Sequence, residues 1–324
     1  MKNNPLQDLW KQQSTQNWPA YNRAQCMELN QFDVLLKDLL EGVEEPEYKF
    51  GRPTLPLRDL LFCSIKKVYS MMSCRRANGL FDNAEEDEII EKSPHFTATS
   101  KVLNNPTITP ILHRLITLTA LPLKDLETQF AVDSTGFRTT RFTEYCIVKH
   151  GLSRKHKWLK CHAICGTKTN LITAVRITDE NGADIKQFSP LVEETVQDFN
   201  VEEVSADKAY LSRENYKIVD KLGVEAFIPF KVNTTGKSKG SPIWHKMYHY
   251  FKFRQPEFMA HYHRRSNIES TFSMIKAKFG DSLKSKNRTA QENELLCKIL
   301  SHNICVLIKE SQDYSINLNM SISD

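Results

Sequence analysis

The sequence lacks the features that would place the protein in a membrane or in an oxidising compartment. No apolar run approaches the roughly 20 residues needed to span a bilayer, and the N-terminus has no apolar core like that of a signal peptide. The eight cysteines are scattered without a spacing typical of a disulfide framework. No internal repeat is present. These absences predict a cytoplasmic protein with no membrane contact, and 324 residues allow two domains.

One short stretch leaves a metal alternative open. Cys161 and Cys165 flank His162 closely enough to suggest structural zinc. However, Trp158 to Ile177 has the pattern of two strands around a turn, and no second ligand pair has zinc-site spacing. The other cysteines lie mostly among apolar residues, where free thiols behave as small buried hydrophobes.

Positive charge is concentrated in two segments of a chain whose formal net charge is only +5. Residues 231–290 contain 13 Lys and Arg against 3 Asp and Glu, and residues 138–160 contain seven against Glu144 alone. Such segments are often solvated faces. Because both flank the carboxylates described below, they favour a polyanionic partner, most simply nucleic acid.

The first 127 residues have the pattern of a helical region. Apolar residues recur at helical spacing, and the predicted helices are 31–43, 57–72, a short one after the turn at 73–79, 97–103 and 109–120. Short tandem helices with basic residues suit a helix-turn-helix DNA reader, and a plain helical bundle explains the same composition equally well. The acidic segment 82–91 is predicted to be a solvated linker or helix face.

From residue 128 the pattern changes to alternating strands and helices. Strands are predicted at 129–133, 145–148, 157–165, 170–178, 201–207 and 225–229, and helices at 185–199, 213–222, 264–280 and 290–308. Residues 134–136 are predicted to turn, and residues 233–241 to form a loop. This alternation predicts an α/β fold with a mixed sheet flanked by helices, preceded by the helical region.

Three carboxylates are candidates for the chemistry. Asp133 and Asp207 each follow a short apolar strand, and ligands bind at the carboxyl ends of strands in open α/β sheets. Glu269 lies on a predicted helix that would cross the sheet edge and supply a third carboxylate. Three carboxylates form a site of hard oxygen ligands suited to Mg²⁺ or Mn²⁺. Two such ions can activate a water or a 3′-hydroxyl to attack a phosphodiester.

The helix of Glu269 carries three further candidate residues. Tyr262, Arg265 and Lys276 have the spacing Y-x2-R-x3-E-x6-K with Glu269, which places all four on one side of an α-helix. Arg265 and Lys276 would hold a phosphate backbone through charge-assisted hydrogen bonds. Each residue alone has a structural explanation, such as a turn aspartate or an i,i+4 ion pair. Their combination with two strand-end aspartates in the right order makes coincidence a poor account.

Other polar residues near these motifs have competing interpretations. Trp244 lies in a basic-aromatic stretch where it would stack on a displaced base or pack under a loop. His156 and His162 are close enough to the first aspartate to lie near metals, although strand positions favour a structural role. Asp184 is predicted to cap the helix that follows it.

Three blocks of sequence resemble one known family. Residues 131–135 (AVDST), 205–210 (SADKAY) and 262–269 (YHRRSNIE, continuing to Lys276) resemble the three catalytic blocks of DDE transposases of bacterial insertion sequences with the Y-(2)-R-(3)-E-(6)-K signature. Residues 51–53 (GRP) and the apolar helix after them resemble the family's N-terminal helical region. The resemblance spans about residues 50 to 310, and the block around Glu269 is its most specific part.

The resemblance implies a function as well as a fold. It implies a ribonuclease-H-like DDE catalytic domain at 128–312, an N-terminal helical DNA-binding region at 1–127 and a polar tail at 313–324. Asp133, Asp207 and Glu269 would bind two Mg²⁺ ions, with Mn²⁺ as a substitute, and Tyr262, Arg265, Lys276 and Trp244 would contact DNA. The partners would be double-stranded transposon ends and target, with a dimer assembled on the DNA.

Two departures from the family pattern bear on the chemistry. Ala209 stands where the family usually has glycine, which alters the turn after Asp207. The interval from Asp207 to Glu269 is too short for the large β-rich insertion domain of some relatives, so the sequence does not decide whether a hairpin intermediate forms.

Two other functions fit the same residues. A metal-dependent nuclease acting on DNA without strand transfer would use the same metal site with a different nucleophile. A DNA-binding regulator with a decayed catalytic domain is the other alternative, although decay would be expected to remove at least one of the four residues Asp133, Asp207, Glu269 and Lys276.

Overall fold

The computed structural model describes residues 17–47, 54–139 and 158–314. The predicted strand at 145–148, the segment 51–53, His156, most of the basic segment 138–160 and all but the first residues of the tail lie outside the described residues. Within them, no helix is both long and apolar enough to cross a membrane.

Among the described residues, five α-helices precede the sheet. Their bounds are α1 (Trp18–Glu41), α2 (Leu57–Tyr69), α3 (Asn78–Glu86), α4 (Thr97–Asn104) and α5 (Ile108–Ala120). Helix α1 starts where the Asn17 side chain accepts the backbone N–H of Ala20 at 3.3 Å, satisfying one of the amides that a helix start leaves free. It begins well before the predicted residue 31. The acidic segment 82–91 supplies the end of α3 and the turn after it.

The sheet has five strands in the order β3-β2-β1-β4-β5. Their bounds are β1 (Gln129–Arg138), β2 (Trp158–Gly166), β3 (Ile172–Asp179), β4 (Glu203–Ala206) and β5 (Glu225–Phe227). Strand β2 pairs antiparallel with both β1 and β3. On the other side of β1, β4 pairs parallel with β1, and β5 pairs parallel with β4. The predicted fold class, a mixed sheet flanked by helices and preceded by a helical region, is confirmed.

Strand β1 is longer than the sequence predicted. The turn predicted at 134–136 is wrong, because β1 continues to Arg138 while it pairs with β2, from Phe130↔Gly166 to Arg138↔Trp158. Its parallel pairing with β4 stops earlier, at Val132↔Ala206. One edge of β1 therefore becomes open at Asp133, in the middle of the strand.

In the described part of the chain after β1, six further α-helices lie between the strands or after them. They are α6 (Phe188–Thr195), α7 (Arg213–Lys221), α8 (Pro242–Phe253), α9 (Gln255–Tyr262), α10 (Ser266–Phe279) and α11 (Arg288–Tyr314). The helix predicted at 185–199 is shorter, since residues 184–186 form a 3₁₀ turn. Helices α8 and α9 were not predicted. Helix α10 ends at Phe279 and is followed by Gly280, whose φ of 78° favours glycine.

Two hydrophobic clusters cover the two faces of the sheet. The bundle-side cluster joins Ala131 and Phe137 of β1 to Ile268 and Phe272 of α10 and to apolar residues of α1–α5 and α11. The far-side cluster joins Phe130 and Val132 to apolar residues of α6–α9. Because side chains alternate along a strand, Asp133 and Thr135 share the bundle-side face with Ala131.

The N-terminal helices pack against the rest of the molecule rather than apart from it. Helices α1, α2, α4 and α5 all contact α11, whose Leu296, Ile299 and Leu300 are buried in the bundle-side cluster. The two regions separated at residue 127 in the sequence analysis therefore share one core. Their division into a DNA-recognition region and a catalytic domain stays a prediction about function.

Candidate active site

Asp133 and Asp207 lie side by side at the open edge of β1. The last parallel pair of β1 and β4 is Val132↔Ala206, and the next residue on each strand is an aspartate. Both aspartates are partly exposed. Parallel register brings together two carboxylates that are far apart in the sequence, where the carboxyl end of β4 opens to solvent.

Glu269 is joined to this pair through Arg265. One guanidinium nitrogen of Arg265 lies 2.5 Å from Asp133 Oδ2, and the other donates to Glu269 Oε1. The Arg265 side chain is 18% exposed, whereas that of Glu269 is 57% exposed. A single planar cation, buried beside the sheet, therefore binds one carboxylate of the strand and one of the helix.

The charges at this site act on one another. Burial raises the pKa of Asp133, and the negative charges of Asp207 and Glu269 raise it further. The N–H of Ser134 and the charge of Arg265 oppose that rise. Burial works against the charged form of Arg265, but Asp133, Tyr262 and Glu269 outweigh it and raise its pKa. The site holds an excess of negative charge that one arginine only partly balances.

Lys276 extends the same face along α10. Its Nζ donates to Thr135 Oγ1 at 2.6 Å and lies 5.3 Å from the centre of the Phe137 ring. Thr135 is two residues beyond Asp133 on the same face of β1. Burial lowers the pKa of Lys276. The lysine is thus held beside the aspartate edge by a neutral hydroxyl and an aromatic ring.

Tyr262 is on a different helix from Glu269. It ends α9, residues 263–265 form a 3₁₀ turn, and α10 starts at Ser266, so the prediction of one continuous α-helix is wrong. The Tyr262 ring still faces Arg265, with the guanidinium carbon 5.8 Å from its centre. Tyr262 therefore contacts Arg265, the side chain that links the carboxylates, and within the described residues it forms no hydrogen bond to a carboxylate.

Trp244 is in the core rather than on a surface open to a base. Its side chain is 4% exposed, and its Nε1–H donates to the Thr235 carbonyl oxygen at 3.0 Å. Arg213 stacks over its ring at 4.3 Å. In the structure, Trp244 is packed under a loop, which was the second of the two interpretations of this residue. Stacking on a base would require that loop to move.

A polar network on the opposite face of β1 was not anticipated. Asp184 accepts hydrogen bonds from Ser134 Oγ and from Lys160 Nζ, both at 2.7 Å, and lies 3.2 Å from Nδ1 of the buried His162. The prediction that Asp184 caps a helix is wrong, because its carboxylate is used here. Burial lowers the pKa of His162 to about 4. No local sequence pattern predicted this network, because it depends on the register that pairs Ser134 with His162.

Strand β2 places Cys161 and His162, two ligands of the zinc alternative, on opposite faces of the sheet. Cys161 is buried in the bundle-side cluster, while the adjacent His162 points to the other face, toward Asp184. Burial raises the pKa of the Cys161 thiol to about 12, which disfavours the thiolate that zinc requires. In the described part of the chain, no three His, Cys, Asp or Glu side chains are grouped closely enough to hold a metal.

Asp133, Asp207 and Glu269 nevertheless fit a divalent cation in donor type and charge. Carboxylate oxygens are the ligands that Mg²⁺ and Mn²⁺ prefer, and the mutual repulsion at Asp133 is what a cation relieves. As the side chains stand, Arg265 occupies the space between two of the three. Glu269 is exposed on its helix and has the freedom to reorient.

A match to one protein-family model agrees with the geometry. The model of a family described as the transposase DDE domain matches residues 124–304, which is more than half of the chain. One solved structure, the piggyBac transposase in a synaptic complex with hairpin DNA, is similar over 90% of this chain and 74% of that chain, at 11% identity and a TM-score of 0.40. A similarity at that level supports no transfer of residues or roles.

Proposed function

Since the chain belongs to the transposase DDE domain family, we propose that it binds the terminal inverted repeats of an insertion sequence and catalyses metal-dependent cleavage and strand transfer. The observation that carries this proposal is the pair of adjacent aspartates at the open edge of β1, joined to Glu269 through Arg265. Three carboxylates from a central strand, its parallel neighbour and a crossing helix form the donor set that phosphodiester chemistry requires.

Asp133, Asp207 and Glu269 are the proposed metal ligands. Domains of this family generally act with divalent ions, and we propose two Mg²⁺ ions, for which Mn²⁺ can substitute. When bound, such ions lower the pKa of a water or a 3′-hydroxyl and stabilise the leaving oxygen of the phosphodiester. Asp133 is fixed by β1 and by the Ser134 N–H at 2.8 Å, so it provides the rigid side of the site.

Arg265, Lys276 and Tyr262 are the proposed contacts to DNA near the scissile phosphate. Arg265 has a planar fork of donors that suits a phosphate as well as the carboxylates it now binds. Lys276 donates its hydrogen bond to the neutral hydroxyl of Thr135 rather than to a carboxylate, so its positive charge can attract a phosphate. Tyr262 orients Arg265 through its ring. These three side chains would position the backbone while the carboxylates act on it.

The remaining assignments concern assembly. Residues 1–127 are proposed to contribute recognition of the transposon ends, and residues 128–312 the catalysis. Double-stranded DNA, as transposon end and as target, is the proposed partner. Because two ends must be brought together for transposition, we propose a dimer on the DNA.

The test replaces each carboxylate in turn. Asp133→Ala, Asp207→Ala and Glu269→Ala are expected to lower the rate of Mg²⁺-dependent cleavage of an end-containing duplex by at least about 100-fold, since even outer-shell changes at metal sites cost 10- to 100-fold. Binding of the same duplex, measured by mobility shift, should survive. The matched control is Asp220→Ala, an exposed aspartate on α7.

The products distinguish the alternatives. With a donor end that carries a free 3′-hydroxyl, joined product supports strand transfer, and cleavage without joined product supports the nuclease alternative. Full cleavage by any one of the three alanine variants would overturn the assignment of the metal ligands. Absence of any Mg²⁺-dependent activity in the wild type would favour the other alternative, a DNA-binding regulator with a decayed catalytic domain.

A further inference from the structure

A cavity that none of the three carboxylates lines has the chemistry of an anion site. It measures about 620 Å³ and lies between α2, the turn after it, α4 and the segment that leads into α11. Three lysines line it, Lys67, Lys284 and Lys286, and none of its lining residues is acidic. Hydroxyls and side-chain amides supply most of the remaining polar lining.

Lys67 is the unusual member of this set. It is only 7% exposed, yet among the described residues it forms no ion pair. Its neighbour Lys66, by contrast, is paired with Asp33 at 2.5 Å. A buried ammonium without a counter-anion is costly, and such groups are normally paired. Lys67 therefore faces a cavity that lacks the negative charge it requires.

The Cys74 thiol, which interacts with Lys67, is not a carboxylate. The Cys74 thiol makes a 3.2 Å contact with Ser100 Oγ; burial alone would raise its pKa, but Ser100 and Lys67 together lower it. Glu294 on α11 is 3% exposed and accepts the backbone N–H groups of the lining residues Lys284 and Ser285 at 2.7 to 3.1 Å. Among the described residues, those that line the cavity include no carboxylate to neutralise it.

The start of α11 adds to the positive potential. Asn287 and Ala290, at the beginning of this 27-residue helix, both line the cavity. The first amides of a helix have no partner within it, and the helix dipole favours an anion at this end. Asn287 is also fixed across the cavity by a 2.9 Å bond from its Nδ2 to Asn104 Oδ1. Buried lysine and helix end thus point to the same kind of ligand.

We propose that this cavity binds a phosphate of the DNA backbone and so provides a second contact to the substrate, outside the cleavage site. The proposal rests on the proposed function, and the chain path supports the choice of DNA over a small anion. Lys276 and Lys284 are eight residues apart, so they are separated by at most about 29 Å, roughly eight base steps at ~3.4 Å each. One bound strand can therefore reach both.

The test measures how binding depends on salt. A labelled duplex is titrated with full-length protein in EDTA at several salt concentrations, because each lost phosphate contact lowers the slope of log K against log[salt] by about 1. We expect that loss for Lys286→Gln and for Lys67→Gln, and recovery in Lys286→Arg. Lys286 is exposed, so its variants test the proposal even if Lys67→Gln fails to fold. Lys92→Gln, an exposed lysine outside the cavity, is the matched control.

Two results would overturn the proposal. The first is an unchanged slope and affinity in Lys286→Gln, equal to those of Lys92→Gln. The second comes from a parallel arm with inorganic phosphate at matched ionic strength. If phosphate raises the unfolding temperature of the wild type but not of Lys286→Gln, while their DNA slopes agree, the cavity binds free phosphate instead. Since EDTA prevents cleavage, a failure of the proposed catalysis leaves this measurement unaffected.

Discussion

Arg265 is the residue whose role the structure changes most. The sequence paired it with Glu269 at i,i+4, which is correct, but Asp133 is its second partner, 132 positions earlier in the chain. An arginine in this place provides the positive charge that keeps two neighbouring carboxylates together. Under the proposed function, a divalent cation and Arg265 would compete for the same carboxylate oxygens, so we expect cation binding to release Arg265 toward DNA.

His302 provides a prediction about pH. It is 5% exposed on α11, its Nε2 lies 3.0 Å from the Asn170 carbonyl oxygen, and burial lowers its pKa from 6.5 to about 4. A group with a lowered folded-state pKa contributes stability above its unfolded pKa and loses it as the pH falls through the folded one. This imidazole should therefore remove about 3 kcal/mol from the free energy of unfolding between pH 6.5 and 4.

Denaturant unfolding as a function of pH checks this expectation. His302→Gln, which can still donate to Asn170, should show a shallower fall in the free energy of unfolding over that range than the wild type. The exposed His263→Gln should follow the wild-type curve. Parallel curves for wild type and His302→Gln would contradict the prediction.

Helix α11 decides how the elements are held together. It is 27 residues long, it contacts α1, α2, α4 and α5, and it carries two fully buried asparagines, Asn293 and Asn303. Asn303 accepts the Ile172 N–H at 3.0 Å and donates to the Ile172 oxygen at 2.7 Å. Because β3 is the edge strand of the sheet, this side chain pairs the backbone groups that the strand leaves open.

Removing the side-chain amide of Asn303 should therefore lower the free energy of unfolding. Asn303→Ala leaves the buried N–H and C=O of Ile172 without partners, and each such group costs about 1–3 kcal/mol. We expect the free energy of unfolding to fall by about 3 kcal/mol in urea titrations. Asn83→Ala, an exposed asparagine on α3, is expected to change it by less than about 0.5 kcal/mol. Equal stabilities of the two variants would show that the Asn303 side chain does not stabilise the edge strand β3.

Elements were predictable where the apolar pattern was long and regular. The helices at 57–69 and 108–120 and the strands flanking Gly166 agree with prediction within a few residues. The turn predicted at 134–136 was wrong because Ser134, Thr135 and Gly136 favour turns locally, whereas pairing with β2 extends the strand. Helices α8 and α9 were missed because their aromatic and basic residues follow no clear helical stripe.

At the scale of the whole molecule, the shared core is the main finding. The bundle-side cluster contains apolar side chains from both sides of residue 127, among them Leu36, Phe62 and Leu112 before it and Leu296, Ile299 and Leu300 after it. Each buried side chain of this kind contributes about 1.5–3 kcal/mol. Exposing several of them would exceed the roughly 5–15 kcal/mol of net stability typical of a folded domain.

We therefore expect the two regions to fold as one unit. The full chain should show a single thermal transition that coincides by far-UV circular dichroism and tryptophan fluorescence. A fragment of residues 128–312 should bind a hydrophobic dye and lack that transition. A cooperative transition in the fragment alone would instead support an independent catalytic domain, with the helical region as an attachment.

The sequence by itself determined the type and order of the chemical groups. Asp133, Asp207, Glu269, Arg265 and Lys276 were identified from local spacing and strand ends, because those patterns lie within short stretches of chain. Only the tertiary structure decided which of them meet. The register of β1 against β4 joins the aspartates, packing of α10 on the sheet shares Arg265 between two carboxylates, and loop packing buries Trp244. Contacts between distant segments depend on register and packing, which no local pattern encodes.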